Sequence, residues 1–335
     1  MRDPLSRRTF LRLGSSVALG LAAVPAWRVL ARTAPSASVE RAAYVMGSIV
    51  TVTAYGDESV CNTAITQAFR SMKAVDAMMS VYDPRSPLSA LNRSGGLGPV
   101  AVPTELTALL QASREFSRTT GGAFDVTVKP LLELYGFLDA PVPRRIPDDR
   151  TIAATLDAVG SRHLLIDEAH STVAFGSPHT RIDLGGIAVG HALDRAGAVL
   201  RAHGVESALV NHSGDLLAIG APPGETGWEV GITDPVRNDE LCTSVRIRDE
   251  ALSTSGNYRN FRRIDHRTFG HIVDPAVGRP SEAALSTTVI APDATTADAL
   301  STATFVLGPS FAATLGARKV ITVVAGARPG TIRIL

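Results

Sequence analysis

Cysteine is almost absent from this chain: Cys61 and Cys242 are the only two in 335 residues, at no metal-type spacing. That excludes a zinc ribbon or a Cys-x-x-Cys redox pair and leaves buried thiols or one disulfide open. Aromatic residues make up only 5%, and the net charge is +1. No basic stripe with interleaved aromatics exists, which argues against general nucleic-acid binding. Gly-x-Ser-x-Gly and His-Glu-x-x-His are missing too, which disfavours hydrolase triads and zincins. The chain has no internal repeat, no low-complexity tract and no linker long enough to divide domains.

What is present is a globular composition, 45% hydrophobic and 19% charged, with room for one large domain or two ordinary ones. The N-terminus carries Ser6-Arg7-Arg8-Thr9-Phe10-Leu11, then a weakly apolar segment over 13–24 and small residues around Pro25-Ala26. This reads as a Tat-type export signal over residues 1–34, too short and interrupted for a membrane span. The alternative is a chance arginine pair before an N-terminal helix. No cysteine ends the apolar segment, so no lipid anchor is expected. The working domain is then 35–335, and its place periplasmic or otherwise extracytoplasmic.

Residues 48–55 read as a strand, and 64–79 as an amphipathic helix with Ile65, Ala68, Phe69, Met72, Val75 and Met79 on one stripe. Residues 80–87 read as a loop by their prolines. A helix is expected over 104–119, a small strand or turn over 123–128, and further helices from Lys129 and from Thr151. Strands follow at 208–211, 216–219, 228–232, 244–247, 251–254 and 287–290, then a helix over 296–306. Strands and helices mix without a βαβ rhythm, which favours an α+β fold.

One stretch stands out: Asp183-Leu-Gly-Gly-Ile-Ala-Val-Gly-His-Ala-Leu-Asp194. An extended run over 180–184 meets two glycines and passes into helical spacing, a geometry that offers free N–H groups to an anion. The plain alternative is a strand–turn–helix connection. In the last helix Asp298 and Thr302 are four apart and share a face, offering hard oxygen ligands of the kind Mg²⁺ takes; a capping pair is the structural alternative. His271 lies in a polar turn and is the most plausible proton acceptor. Asp125, Asp215, Asp234 and Asp274 stand where Asp commonly just caps or turns backbone.

Taken in order, the blocks resemble the FAD:protein FMN transferase (ApbE) family from about Tyr44 to Leu307. They are Met46-Gly47-Ser48, Ser80-Val-Tyr82-Asp83-Pro84 with Leu88-Ser-Ala-Leu-Asn92, Thr120-Gly-Gly-Ala-Phe-Asp125-Val-Thr-Val and Asp183-Leu-Gly-Gly-Ile-Ala-Val-Gly. Then come Val210-Asn-His-Ser-Gly-Asp215, Trp228-Glu-Val-Gly-Ile-Thr-Asp-Pro235, Thr254-Ser-Gly-Asn-Tyr-Arg259, His271-Ile-Val-Asp-Pro275 with Gly278-Arg-Pro280, and Ala297-Asp-Ala-Leu-Ser-Thr302. The resemblance implies a single T-fold-like domain with the FAD site in a central cleft. It implies an enzyme that splits FAD, places FMN on a Thr or Ser hydroxyl of an exported acceptor protein and releases AMP.

By the same resemblance, Asp298, Thr302 and the carbonyl of Gly186 would hold Mg²⁺. Met46, Tyr82, Ala123, Phe124, Asp125, Val189, Ser255 and Asp274 would line the FAD site, and His271 and Asp298 would be catalytic. Position 189 is valine where many relatives carry lysine or another polar residue, and His212-Ser213 stands where relatives often have Ala-Gly. An FAD diphosphatase giving FMN and AMP, or a non-enzymatic FAD-binding protein, remain the alternatives. A homodimer stays open, and no self-flavinylation segment is present.

Overall fold

The structure is a computed structural model that describes residues 38–335 apart from 139, 238, 309–310, 312–318 and 326–330. The proposed 1–34 leader, with its twin arginine, lies outside the described residues. The frame is an eight-stranded sheet built from Ser38–Val45, Ser48–Tyr55, Ser207–His212, Asp215–Ile219, Ala251–Gly256, Ser286–Ala291, Lys319–Ala325 and Ile332–Ile334. Their order in the sheet is their order in the chain, and every pairing is antiparallel. Everything else is inserted between neighbouring strands, which makes the fold α+β as expected.

Both faces of this sheet are covered. Helices Glu58–Met79, Ala188–Ala202 and Ala294–Leu307 lie on one side, the hairpin Trp228–Thr233/Leu241–Ile247 on the other. Alternation does the sorting: Ala208, Val210, Leu217 and Ile219 join the helix-side core, while Leu209, Leu216, Ala218, Leu252 and Ile290 pack around Trp228. A one-residue slip would exchange the two sets, so register is strongly specified. Trp228 is buried, and its indole N–H donates to the Ile219 carbonyl. Cys61 belongs to the helix side and Cys242 to the hairpin side. Both are free thiols, so the open question of a disulfide is answered by the sheet between them.

The expected helices at 64–79 and 104–119 are present. The first starts earlier, at Glu58, because the Asp57 carboxylate caps the Val60 N–H at 3.0 Å. The strand reading of the run before the glycine pair is corrected. Residues 180–184 are extended but join no sheet: the Asn92 side chain donates to the Ile182 carbonyl and accepts from its N–H, both at 2.8 Å, standing in for a partner strand. Of the small strand or turn expected over 123–128, the structure has the turn: residues 126–128 form a 3₁₀ turn capped by Asp125.

Helix Ala294–Leu307 is buried on nearly every side, the pattern of a central helix. Its first N–H groups are met by two carboxylates: Asp194 accepts from Ala294 and Thr295 at 2.8 Å each, and Asp293 accepts from Thr296 at 2.7 Å. Against it lies helix Ala188–Ala202 at very close range. A Cβ added to Gly190 would sit 2.2 Å from the Ala294 carbonyl oxygen and 2.8 Å from the Asp298 Cβ. The last glycine of the 183–190 stretch therefore serves helix–helix contact.

Candidate active site

A cavity of about 550 Å³ opens on the inserted segments and the ends of the central strands. One pole is acidic. Asp298 projects from the buried helix, 5% exposed, and its Oδ2 accepts the Gly190 N–H at 2.9 Å. Asp215, at the start of its strand, accepts the Ser253 hydroxyl at 2.6 Å and the Thr254 N–H at 3.2 Å. Burial raises the pKa of both carboxyls, that of Asp298 well above the usual range, and the Asp215 charge raises Asp298 further. Two carboxylates drawn into one dry corner call for a cation or a shared proton.

Hydroxyls line the same corner. Ser255 Oγ lies 2.8 Å from Ser301 Oγ and 3.3 Å from Thr302 Oγ1. A Cβ on Gly186 would stand 3.0 Å from Thr302 Oγ1, so the glycine backbone rests directly against that hydroxyl. Among the described residues no three His, Cys, Asp or Glu side chains come together. The donors are carboxylate, hydroxyl and carbonyl oxygens, a set that fits Mg²⁺ or another hard divalent cation.

A second group of wall residues, the histidine pole, is cationic and aromatic, and its Arg259 charge reaches Asp215. The Arg262 guanidinium lies 4.9 Å over the Phe137 ring and donates through Nε to the Gly136 carbonyl at 2.9 Å. Phe137 presents its edge to the His271 ring at 6.3 Å. Burial, and then the Arg262 charge, hold the imidazole below its ordinary pKa, with the Asn260 carbonyl offsetting part of this. His271 is therefore neutral at pH 7, and its buried Nδ1 has no hydrogen-bond partner among the described residues. Arg259 donates to the Ser213 carbonyl at 3.0 Å and lies over Tyr258, on the same wall.

Of the residues singled out from the sequence, Tyr82, Ala123, Phe124, Asp125, Gly186, Ser255, His271, Asp298 and Thr302 all line this cavity. Tyr82 is exposed at 56%, on the rim. Asp125 is present through its backbone, because its carboxylate is saturated from inside. Oδ1 takes the Thr127 N–H and hydroxyl, and Oδ2 takes the Ser117 hydroxyl and the Ser161 N–H.

Met46, Val189 and Asp274 do not line the cavity. Met46 sits in the hairpin turn with its N–H donated to Asp76, and Val189 packs against the core from the first turn of its helix. Asp274 turns its carboxylate back onto the Ala276 N–H, while its neighbours Val273 and Pro275 reach the wall. His212 hydrogen-bonds the Val45 carbonyl inside the sheet, so only Ser213 of that pair faces the cavity. Sequence reasoning missed Asp183, Arg259 and Arg262 as lining residues and took Asp215 for a turn aspartate. Asp215 opens a strand that the 216–219 reading began one residue too late.

Known proteins resemble this chain in sequence and in fold. The chain matches the sequence model of the ApbE family over residues 46–324. An FAD:protein FMN transferase of Treponema pallidum is 33% identical over 290 residues, covering 80% of this chain and 78% of its own. The Escherichia coli K12 protein of the same name is 34% identical over 242 residues, covering 71% and 69%. The crystal structure of the ApbE protein of Thermotoga maritima superposes with a TM-score of 0.80 at 33% identity, covering 89% of this chain and 96% of that one. The flavin transferase ApbE of Vibrio cholerae gives 0.78 at 28%, covering 90% and 97%. The chain belongs to the ApbE family.

Proposed function

We propose that the protein is an FAD:protein FMN transferase: it cleaves the diphosphate of FAD, joins FMN through a phosphoester bond to a Thr or Ser hydroxyl of an acceptor protein, and releases AMP. The observation that carries this reading is the make-up of one cavity wall, which joins buried carboxylates and hydroxyls to a neutral histidine and two arginines. A diphosphate held among such groups meets what phosphoryl transfer needs, which is positioning and charge neutralisation.

Asp298, Thr302 and the Gly186 carbonyl would hold Mg²⁺, which when bound neutralises diphosphate charge. His271 accepts the proton of the acceptor hydroxyl as its oxygen attacks the FMN phosphorus and the bond to the AMP oxygen breaks. Arg259 and Arg262 supply positive charge for phosphate oxygens. Gly185 and Gly186 keep side chains out of the cavity floor. The sequence at 6–11 supports export by the Tat route and work outside the cytoplasm on an exported acceptor.

The reading is tested by incubating the protein, without residues 1–34, with FAD and Mg²⁺, with and without an acceptor protein, then reading intact mass and AMP. An FMN-sized mass gain on the acceptor with AMP released is the expected result. AMP and free FMN without a mass gain would make the protein an FAD diphosphatase, and FAD retained intact would make it a carrier. The valine at 189 gives the carrier no support, since that side chain faces the core.

A further inference from the structure

The hairpin Phe261–Ile264/Arg267–Gly270 stands next to the candidate base, and its charge departs from that of the rest of the molecule. Between 259 and 267 lie four arginines and one aspartate, in a chain whose net charge is +1. Register divides the hairpin into two faces. Ile264 and Phe269, with Arg262, share the inner face and pack into the cluster around Tyr135. Phe261, Arg263 and Thr268 share the outer face and are all exposed. Phe261 is 42% exposed, and Arg263 has neither ion pair nor hydrogen bond among the described residues. Arg267, opposite Ile264 in the register and so on the other face, lies over the Phe269 ring at 5.3 Å and meets Glu282 at 3.8 Å; both charged groups are well exposed, so that ion pair contributes little.

This surface is continuous with the cavity. The Asn260 carbonyl accepts the His271 backbone N–H at 3.3 Å, and Arg259, Asn260 and Arg262 are themselves part of the wall. A hydroxyl that gives its proton to His271 brings the protein that carries it across the hairpin.

We propose that the outer face of this hairpin is the acceptor-docking surface, and that it fits an extended, acidic segment flanking the acceptor Thr or Ser. On that face Arg263 attracts the carboxylates and Phe261 offers the apolar contact. The proposal rests on the transferase reading above. Attraction of this kind acts mainly on encounter, speeding association by ~10–10³-fold at low salt and fading as ionic strength rises.

Two synthetic peptides test it, carrying the same Thr acceptor segment flanked by glutamates in one and by lysines in the other, with FAD and Mg²⁺ present. Flavinylation of the glutamate peptide is expected to have a kcat/KM at least ~10-fold higher at low salt, the gap closing with added salt. In R263E the preference is lost or inverted, while the KM for FAD is unchanged; R263Q gives a smaller change in the same direction. Equal kcat/KM for the two peptides in the unmodified protein, or an unchanged preference in R263E, overturns the proposal. So does binding to phosphatidylglycerol vesicles that blocks the glutamate peptide, which would make the face membrane-directed. Absence of both mass gain and AMP for either peptide is a different failure: it removes the transferase reading, and the docking proposal with it.

Discussion

The two poles of the cavity are made by opposite means. The acidic pole is part of the rigid frame: Asp298 and Thr302 come from the most buried helix, Asp215 and Ser255 from central strands, and Gly190 fixes the spacing between helices. The histidine pole is hung on insertions, with His271 following a two-stranded hairpin and Phe137 lying in the chain between Glu58–Met79 and the return to the sheet. Like charges forced together need a frame that cannot relax, which the core supplies. A base that must meet a separate protein needs access, which only a surface insertion supplies.

The sharpest way to break this division is Asp298→Ala. If the acidic pole is the cation site, transfer falls by ~10³-fold or more while circular dichroism stays unchanged. Full turnover at saturating Mg²⁺ would remove Asp298 from the site. His271→Ala tests the other pole and has a smaller effect. Transfer to the acceptor slows by ~10²-fold, and FAD binding measured by flavin fluorescence stays within error. Loss of FAD binding in that variant would mean the histidine holds substrate and is not the base.

Gly190→Ala asks whether the acidic pole depends on the frame. The new methyl would overlap the Ala294 carbonyl and press on Asp298. Destabilisation of ~1–3 kcal/mol in a denaturant titration is expected, together with lost Mg²⁺ dependence. An active, fully stable variant would show that the two helices part easily.

Legibility in the sequence follows the same division. Helix 104–119 and the strand at 48–55 were readable because one face is apolar at a regular period. Asp298 and Thr302 were readable because a spacing of four on a helix survives in sequence as a spacing of four. The edge strand Ser38–Val45 was not found: it is half solvated, mixes Glu40 and Arg41 with alanines, and its register becomes plain only beside Ser48–Tyr55. Asp215 was discounted because the partner that makes it unusual, Asp298, is distant in the chain. Val189 and Asp274 were carried over by position alone, and neither helix phase nor the turn bond to Ala276 shows in a motif.

The smallest effect is the most discriminating, because the two poles titrate with opposite signs. His271 has a lowered pKa in the folded state, so below about 6.5 the unfolded chain takes up a proton there that the folded one refuses. Folded stability from this group is therefore lost as pH falls through that range. Asp215 and Asp298 have raised values, so the folded chain takes up their protons first, and stability rises as pH falls toward about 4. In cation-free protein, His271→Ala should flatten the acid-side loss, and Asp298→Asn should shrink the opposing gain to the part that Asp215 supplies. Thermal melts of the three proteins between about pH 7 and 5 measure this. A His271→Ala curve parallel to that of the parent would mean the imidazole titrates normally, and the proton acceptor would have to be sought elsewhere on the arginine-lined wall.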